Sequence, residues 1–162
     1  MSEKIDARTI LTEAIYREIE ARNFYRRIAD TITNEEGKKK FYQLSRDEES
    51  HRDKLFQWYS KLFSEEFELD GDSVGESEAS FFKAKDSTSA MEALDIAIKA
   101  EAAAEEFYRN RAGEVEQEEL NELLEELAEQ EHGHYNLLLA ERNALVGGFY
   151  WFDMDSSGFL ED

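Results

Sequence analysis

His51 and His134 each follow a glutamate by three residues, Glu48 and Glu131, and they stand 83 residues apart. Sliding the chain along itself by that interval lays LSRDEESHRDKL (44–55) on LAEQEHGHYNLL (127–138), so Glu48, His51 and Leu55 fall on Glu131, His134 and Leu138. Residues three apart on an α-helix lie about 60° apart around the axis and roughly 4.5 Å along it. A carboxylate and an imidazole at that spacing can grip one cation. In a chain with 39 acidic side chains a single such pair means little, but two of the three histidines at one phase of a repeat are hard to attribute to chance.

The repeat extends well beyond the motif. Leu11, Ala14, Ile15, Glu18, Ala21, Phe24, Tyr25, Arg26, Ala29, Glu36, Leu44, Glu48, His51 and Leu55 are each identical to the residue 83 later. The alignment needs no gap, so the chain holds two copies of one helical hairpin. Composition agrees: there is no proline, and Ala, Glu, Leu, Lys and Arg dominate the 162 residues, as long helices require.

Apolar spacing predicts helices over 6–32, from Thr33 to about Leu62, from Ser89 to about Ala112, and from about Glu116 to Ala144. Thr33-Asn34-Glu35-Glu36 and Ser89-Ala90-Met91-Glu92 fit capping boxes, and Gly113 is a natural stop. Glu18 lies inside the apolar stripe of the first helix, seven after Leu11 and seven before Tyr25; Glu101 repeats it on the third. Carboxylates on a buried face have to be neutralised, hydrogen-bonded or metal-bound. The inner faces of the second and fourth helices read Phe41, Leu44, Glu48, His51, Leu55, Trp58 and Leu120, Leu124, Leu127, Glu131, His134, Leu138. Trp58 reads as packing, and His132, turned about 100° from Glu131, as exposed.

Residues 63–88 break the helical pattern and are too long for a tight hairpin. They read as a crossover that lets the third helix start at the far end of a bundle. The expected organisation is a four-helix bundle over 1–144, with hairpins at about 6–62 and 89–144, and an aromatic tail over 145–162 that includes Phe149, Tyr150, Trp151 and Phe152. The tail is expected to fold onto the bundle or a second subunit. Asp153-x-Asp155-x-Ser157-Gly158 imitates half of a calcium loop but lacks its twelfth-position glutamate, and is not read as a calcium site.

The formal charge of −20 sets the chain against nucleic acid and anionic membranes as partners. Without cysteine it has no disulfide, thiolate site or iron–sulfur centre. Charges run through MSEKIDARTILTEAIYREIE, so it is read neither as a signal peptide nor as a membrane span. The expected location is the cytoplasm.

Pairing the hairpins gathers Glu18, Glu48, His51, Glu101, Glu131 and His134. This donor set resembles that of di-iron and di-manganese carboxylate bundles. Four buried carboxylates balance two divalent cations, and oxygen donors with one imidazole per metal suit iron or manganese better than zinc. Glu18-Ile-Glu-Ala-Arg-Asn-Phe-Tyr25 and Asp47-Glu48-Glu-Ser-His51, with Glu101 to Tyr108 and Glu131 to His134, resemble the paired motifs of the rubrerythrins, within the ferritin-like superfamily, over roughly residues 5–142.

The resemblance implies an all-α, ferritin-like antiparallel four-helix bundle with the six residues as ligands of two iron ions, manganese being the alternative. It implies that Tyr25 and Tyr108 hydrogen-bond around the site, with no catalytic residue beyond the ligands. The implied activity is reduction of hydrogen peroxide or dioxygen. Ferroxidation with iron storage and oxygenation of an organic substrate are the alternatives. The chain departs from the family pattern twice. It has no cysteines for a rubredoxin-like domain, so a separate protein has to donate electrons; and the family's additional third-helix glutamate, used in a ligand switch, is replaced by Ala104, with Glu105 next to it. A homo-oligomer, dimeric or larger, is also expected.

Overall fold

The computed structural model of the chain describes residues 6–69 and 90–147. Four helices account for nearly all of them: α1 (Ala7–Thr31), α2 (Glu35–Phe63), α3 (Ala90–Arg111) and α4 (Glu118–Val146). No strand occurs among the described residues. The packing of α1 on α2 and of α3 on α4 makes an all-α bundle of two hairpins, as the repeat predicts. Ser89, most of the crossover and nearly all of the aromatic tail lie outside the described residues.

The first turn is slightly longer than the sequence suggests. The capping-box pattern points to Thr33 as the cap of α2, but Asn34 takes that place, its side-chain oxygen accepting from the backbone N–H groups of Glu36 and Gly37 at 2.9 and 3.1 Å. Those N–H groups have no partner inside the helix, so a short side-chain acceptor fixes where the helix begins. In the second hairpin, Gly113 at φ 92° ends the descent from α3. The Asn121 side chain then accepts from Gly113 N at 2.8 Å and donates to the Val115 carbonyl at 2.8 Å.

The core is laid out in two apolar blocks. One joins Phe24 and Ile28 of α1, and Ile32 just past its end, with Phe41 and Leu44 of α2, Leu94 of α3 and Leu138 of α4. The other joins Leu11 and Ile15 of α1 with Leu55 of α2, Phe107 of α3 and Leu124 and Leu127 of α4. Each fully buried leucine or isoleucine contributes about 1.5–3 kcal/mol of transfer free energy. The starts of α2 and α3 share the first block, so these helices run in the same sense, a relation no tight turn can make. Trp58 is only half-buried, at the edge of the second block, with the Lys61 ammonium 4.5 Å from its ring centroid.

Candidate metal centre

Between the two apolar blocks, every helix contributes a buried carboxylate at the same level of the bundle. α1 supplies Glu18, α2 Glu48, α3 Glu101 and α4 Glu131, and His51 and His134 follow their glutamates by three on α2 and α4. None of the six is more than 8% exposed. The geometry brings together all six residues singled out from the sequence.

Both imidazoles turn Nδ1 inward. His51 Nδ1 lies 2.9 Å from Glu131, 3.3 Å from Glu18 and 3.6 Å from Glu48. His134 Nδ1 lies 3.1 Å from Glu48, 3.5 Å from Glu101 and 3.7 Å from Glu131. Two overlapping groups result: Glu18, Glu48, His51 and Glu131, and Glu48, Glu101, Glu131 and His134, with donor atoms in each within 4.8 Å of one another. Glu48 and Glu131 belong to both. The rings of His51 and His134 are nearly parallel, 6.0 Å apart.

The tyrosines cross over. Tyr25 on α1 donates to Glu101 on α3, and Tyr108 on α3 donates to Glu18 on α1 at 2.5 Å. Burial, reinforced by the neighbouring glutamates, holds both phenols well above their ordinary pKa.

The six side chains fit bound metal better than they fit one another. Glu18 Oε2, Glu48 Oε1, His51 Nδ1, Glu101 Oε2, both oxygens of Glu131 and His134 Nδ1 are buried without a hydrogen bond inside the protein. Some of these atoms are close, but they aim at common centres rather than along hydrogen-bond directions. Orphaned buried donors and acceptors are costly and rare, and a concentration of them marks a place built for something else. Hard oxygens with one imidazole per group suit a divalent first-row metal.

Without a metal the cluster holds protons. Burial, followed by the charge of Glu131, raises the pKa of Glu18, and raises those of Glu48 and Glu101 further. Burial acts upward on Glu131 as well, but the closeness of Glu101, which keeps its proton, and of the His134 and His51 imidazoles carries it below the ordinary carboxylate range. Burial disfavours a charged His51, yet Glu18, Glu131 and Glu48 outweigh it and push the imidazole up to about 12. His134 rises for the same reason, with Asp47 its leading partner.

A second ring of residues went unrecognised in the sequence. His134 Nε2 donates to Asp47 Oδ2 at 3.0 Å, and His51 Nε2 donates to Gln130 Oε1. Asp47 and Gln130 immediately precede Glu48 and Glu131 and occupy equivalent places in the repeat, which is the signal that could have found them. His132 is exposed as expected and pairs with Glu105 at 2.9 Å. Glu105 also holds Arg109 at 2.8 Å and belongs to neither donor group.

Carboxylates from all four helices of a duplicated bundle, joined by an imidazole from each hairpin, form a buried cluster that could bind metal, as in ferritin-like carboxylate proteins. The chain belongs to the rubrerythrin family, whose model matches residues 9–142. It is also similar to a hypothetical protein from Pyrococcus furiosus of known structure, with 31% identity over 88% of this chain and 92% of that one and a TM-score of 0.72. No curated protein gives a significant match. Among the described residues, no helix is long and apolar enough to cross a membrane.

Proposed function

We propose that the cluster holds two iron ions and that the chain is a non-haem di-iron redox protein which reduces hydrogen peroxide or dioxygen. The observation that carries this reading is the sharing of Glu48 and Glu131 between two otherwise separate donor groups. Bridging carboxylates suit a pair of ions roughly 4 Å apart, the usual spacing of two-metal sites. Glu18 with His51, and Glu101 with His134, complete the two positions.

Bound iron would supply the electrons that reduce the oxidant. The protein's part is positioning. Tyr108 and Tyr25 hold one oxygen of Glu18 and of Glu101, leaving the other oxygen of each directed inward. The apolar blocks on either side keep bulk water from the carboxylates. In this reading a separate protein donates the electrons, since the residues of this sequence include no cysteine to hold an iron of their own. Glu105, committed to Arg109 and His132, stands outside the donor set, so the reading uses six fixed ligands and no exchange of a glutamate for a histidine.

Anaerobic titration of metal-free protein with Fe(II), then rapid mixing with peroxide or dioxygen under near-ultraviolet detection, tests the proposal. Two irons per chain, oxidised faster by peroxide, are expected. Two irons favouring dioxygen, with further iron taken up afterwards, would indicate ferroxidation and storage instead. Failure to bind two ions would remove the basis of both.

A further inference from the structure

The duplication is broken at the outer edge of the site. Each histidine spends its Nε2 proton on the opposite hairpin: His134 on Asp47 of α2, and His51 on Gln130 of α4. One acceptor is a carboxylate and the other a neutral amide. Behind them the order is reversed. Gln43 donates its amide to Asp47 Oδ1 at 2.8 Å, whereas Gln130 donates its own amide to Glu126 Oε1 at 3.1 Å. Gln43 and Glu126 are again repeat equivalents, so the two copies contain amide and acid in exchanged positions. The contact to Glu126 also fixes the Gln130 amide with its oxygen toward His51.

An imidazole that binds a metal through Nδ1 keeps its proton on Nε2, and the acceptor of that proton sets how strongly the ring donates. A carboxylate acceptor polarises the N–H bond more than an amide does, making the ring more electron-rich at Nδ1. We infer that the two metal positions are inequivalent and fill in order, the position at His134 first, because Asp47 supports that histidine while Gln130 supports His51. The inference rests on the two-metal reading of the cluster and adds a sequence of loading to it.

Co(II) serves as the probe, titrated into the metal-free full chain by calorimetry with visible absorption recorded in parallel. The variants are Asp47→Asn, Gln130→Glu and the double substitution. All keep the shape of half-exposed side chains, and circular dichroism confirms their folding. Two sites sharing bridging carboxylates repel a second cation, so two resolved steps are not by themselves decisive. Which step each variant moves is decisive.

With the His134 position filling first, Asp47→Asn weakens the tighter step about tenfold, the lower end of the range for such outer partners. Gln130→Glu strengthens the weaker step, and the double variant fills in the reverse order. Equivalent positions would give the opposite pattern, with Asp47→Asn moving only the weaker step and Gln130→Glu only the tighter one. That pattern, or equal movement of both steps in every variant, overturns the inference while leaving the two-metal reading intact. A wild-type chain that binds no Co(II) or Fe(II) at the cluster overturns both.

Discussion

Tyr108, on the third helix, donates a 2.5 Å hydrogen bond to Glu18 on the first, and Tyr25 returns the gesture from the first helix to Glu101 on the third. The four residues are two repeat-related pairs, so the crossing ties the hairpins together at the level of the buried acids. Each tyrosine follows a glutamate of its own helix by seven but serves the glutamate of the other.

Tyr108→Phe is expected to lower the denaturant stability of the metal-free chain by about 1–3 kcal/mol, because Glu18 loses its buried donor. Metal affinity should fall about 10–100-fold. Tyr25→Phe should match it within a factor of a few, and a neutral outcome in both would show that the phenols serve only as core aromatics.

The shared carboxylates predict different losses of stoichiometry. Glu131→Ala removes a donor from both groups and should abolish tight binding of both ions. Glu18→Ala touches one group alone and should leave about one ion per chain. Metal analysis after gel filtration distinguishes them, and equal stoichiometry in the two variants contradicts the bridging assignment.

Opposite pH trends are expected for metal-free and metal-loaded protein. Glu18, Glu48 and Glu101 keep their protons above the ordinary 4.5 because they are buried and face Glu131. The folded chain thus binds more protons than the unfolded one above about pH 4.5, and its stability falls as pH rises. The histidine contribution has the same sign, complete below 6.5 and lost as pH approaches about 12 for His51. Glu131, held low, reverses the trend only below its ordinary 4.5. Metal-free protein should therefore be most stable near about pH 5. Metal ions displace the protons, so loaded protein should gain stability with rising pH. Thermal denaturation between pH 5 and 9 checks this, and parallel slopes for the two forms would count against it.

Glu105→Ala is expected to leave iron stoichiometry and oxidation rate unchanged, since Glu105 is engaged with Arg109 and His132 and belongs to neither donor group. A rate loss of tenfold or more would mean that this side chain swings inward during turnover.

Asn34→Ala should cost about 1 kcal/mol, the usual value of a helix cap. Thr33→Ala, at the residue expected to cap from the sequence, should cost less. Urea denaturation of the two variants decides between the neighbours.

The buried acids were readable because helical periodicity registers what faces inward: Glu18 and Glu101 interrupt apolar stripes, and Glu48 and Glu131 stand three before histidines. The same method was blind to Asp47 and Gln130. Both are half-exposed, and a polar residue at a helix boundary between core and solvent looks like any solvated one. Periodicity likewise could not choose between Thr33 and Asn34 as a cap, because the choice rests on one backbone turn. Glu105 stands next to Ala104, and only its ion pairs with Arg109 and His132, seen in the structure, keep it out of the donor groups.

Each donor group draws on both hairpins, Glu131 reaching into the group of Glu18 and His51, and Glu48 into that of Glu101 and His134. Neither half of the duplicated chain therefore owns a complete binding position. An ion held there works as a reversible cross-link between segments distant in sequence, so that chelation would loosen the joint between the halves before it loosened either half itself.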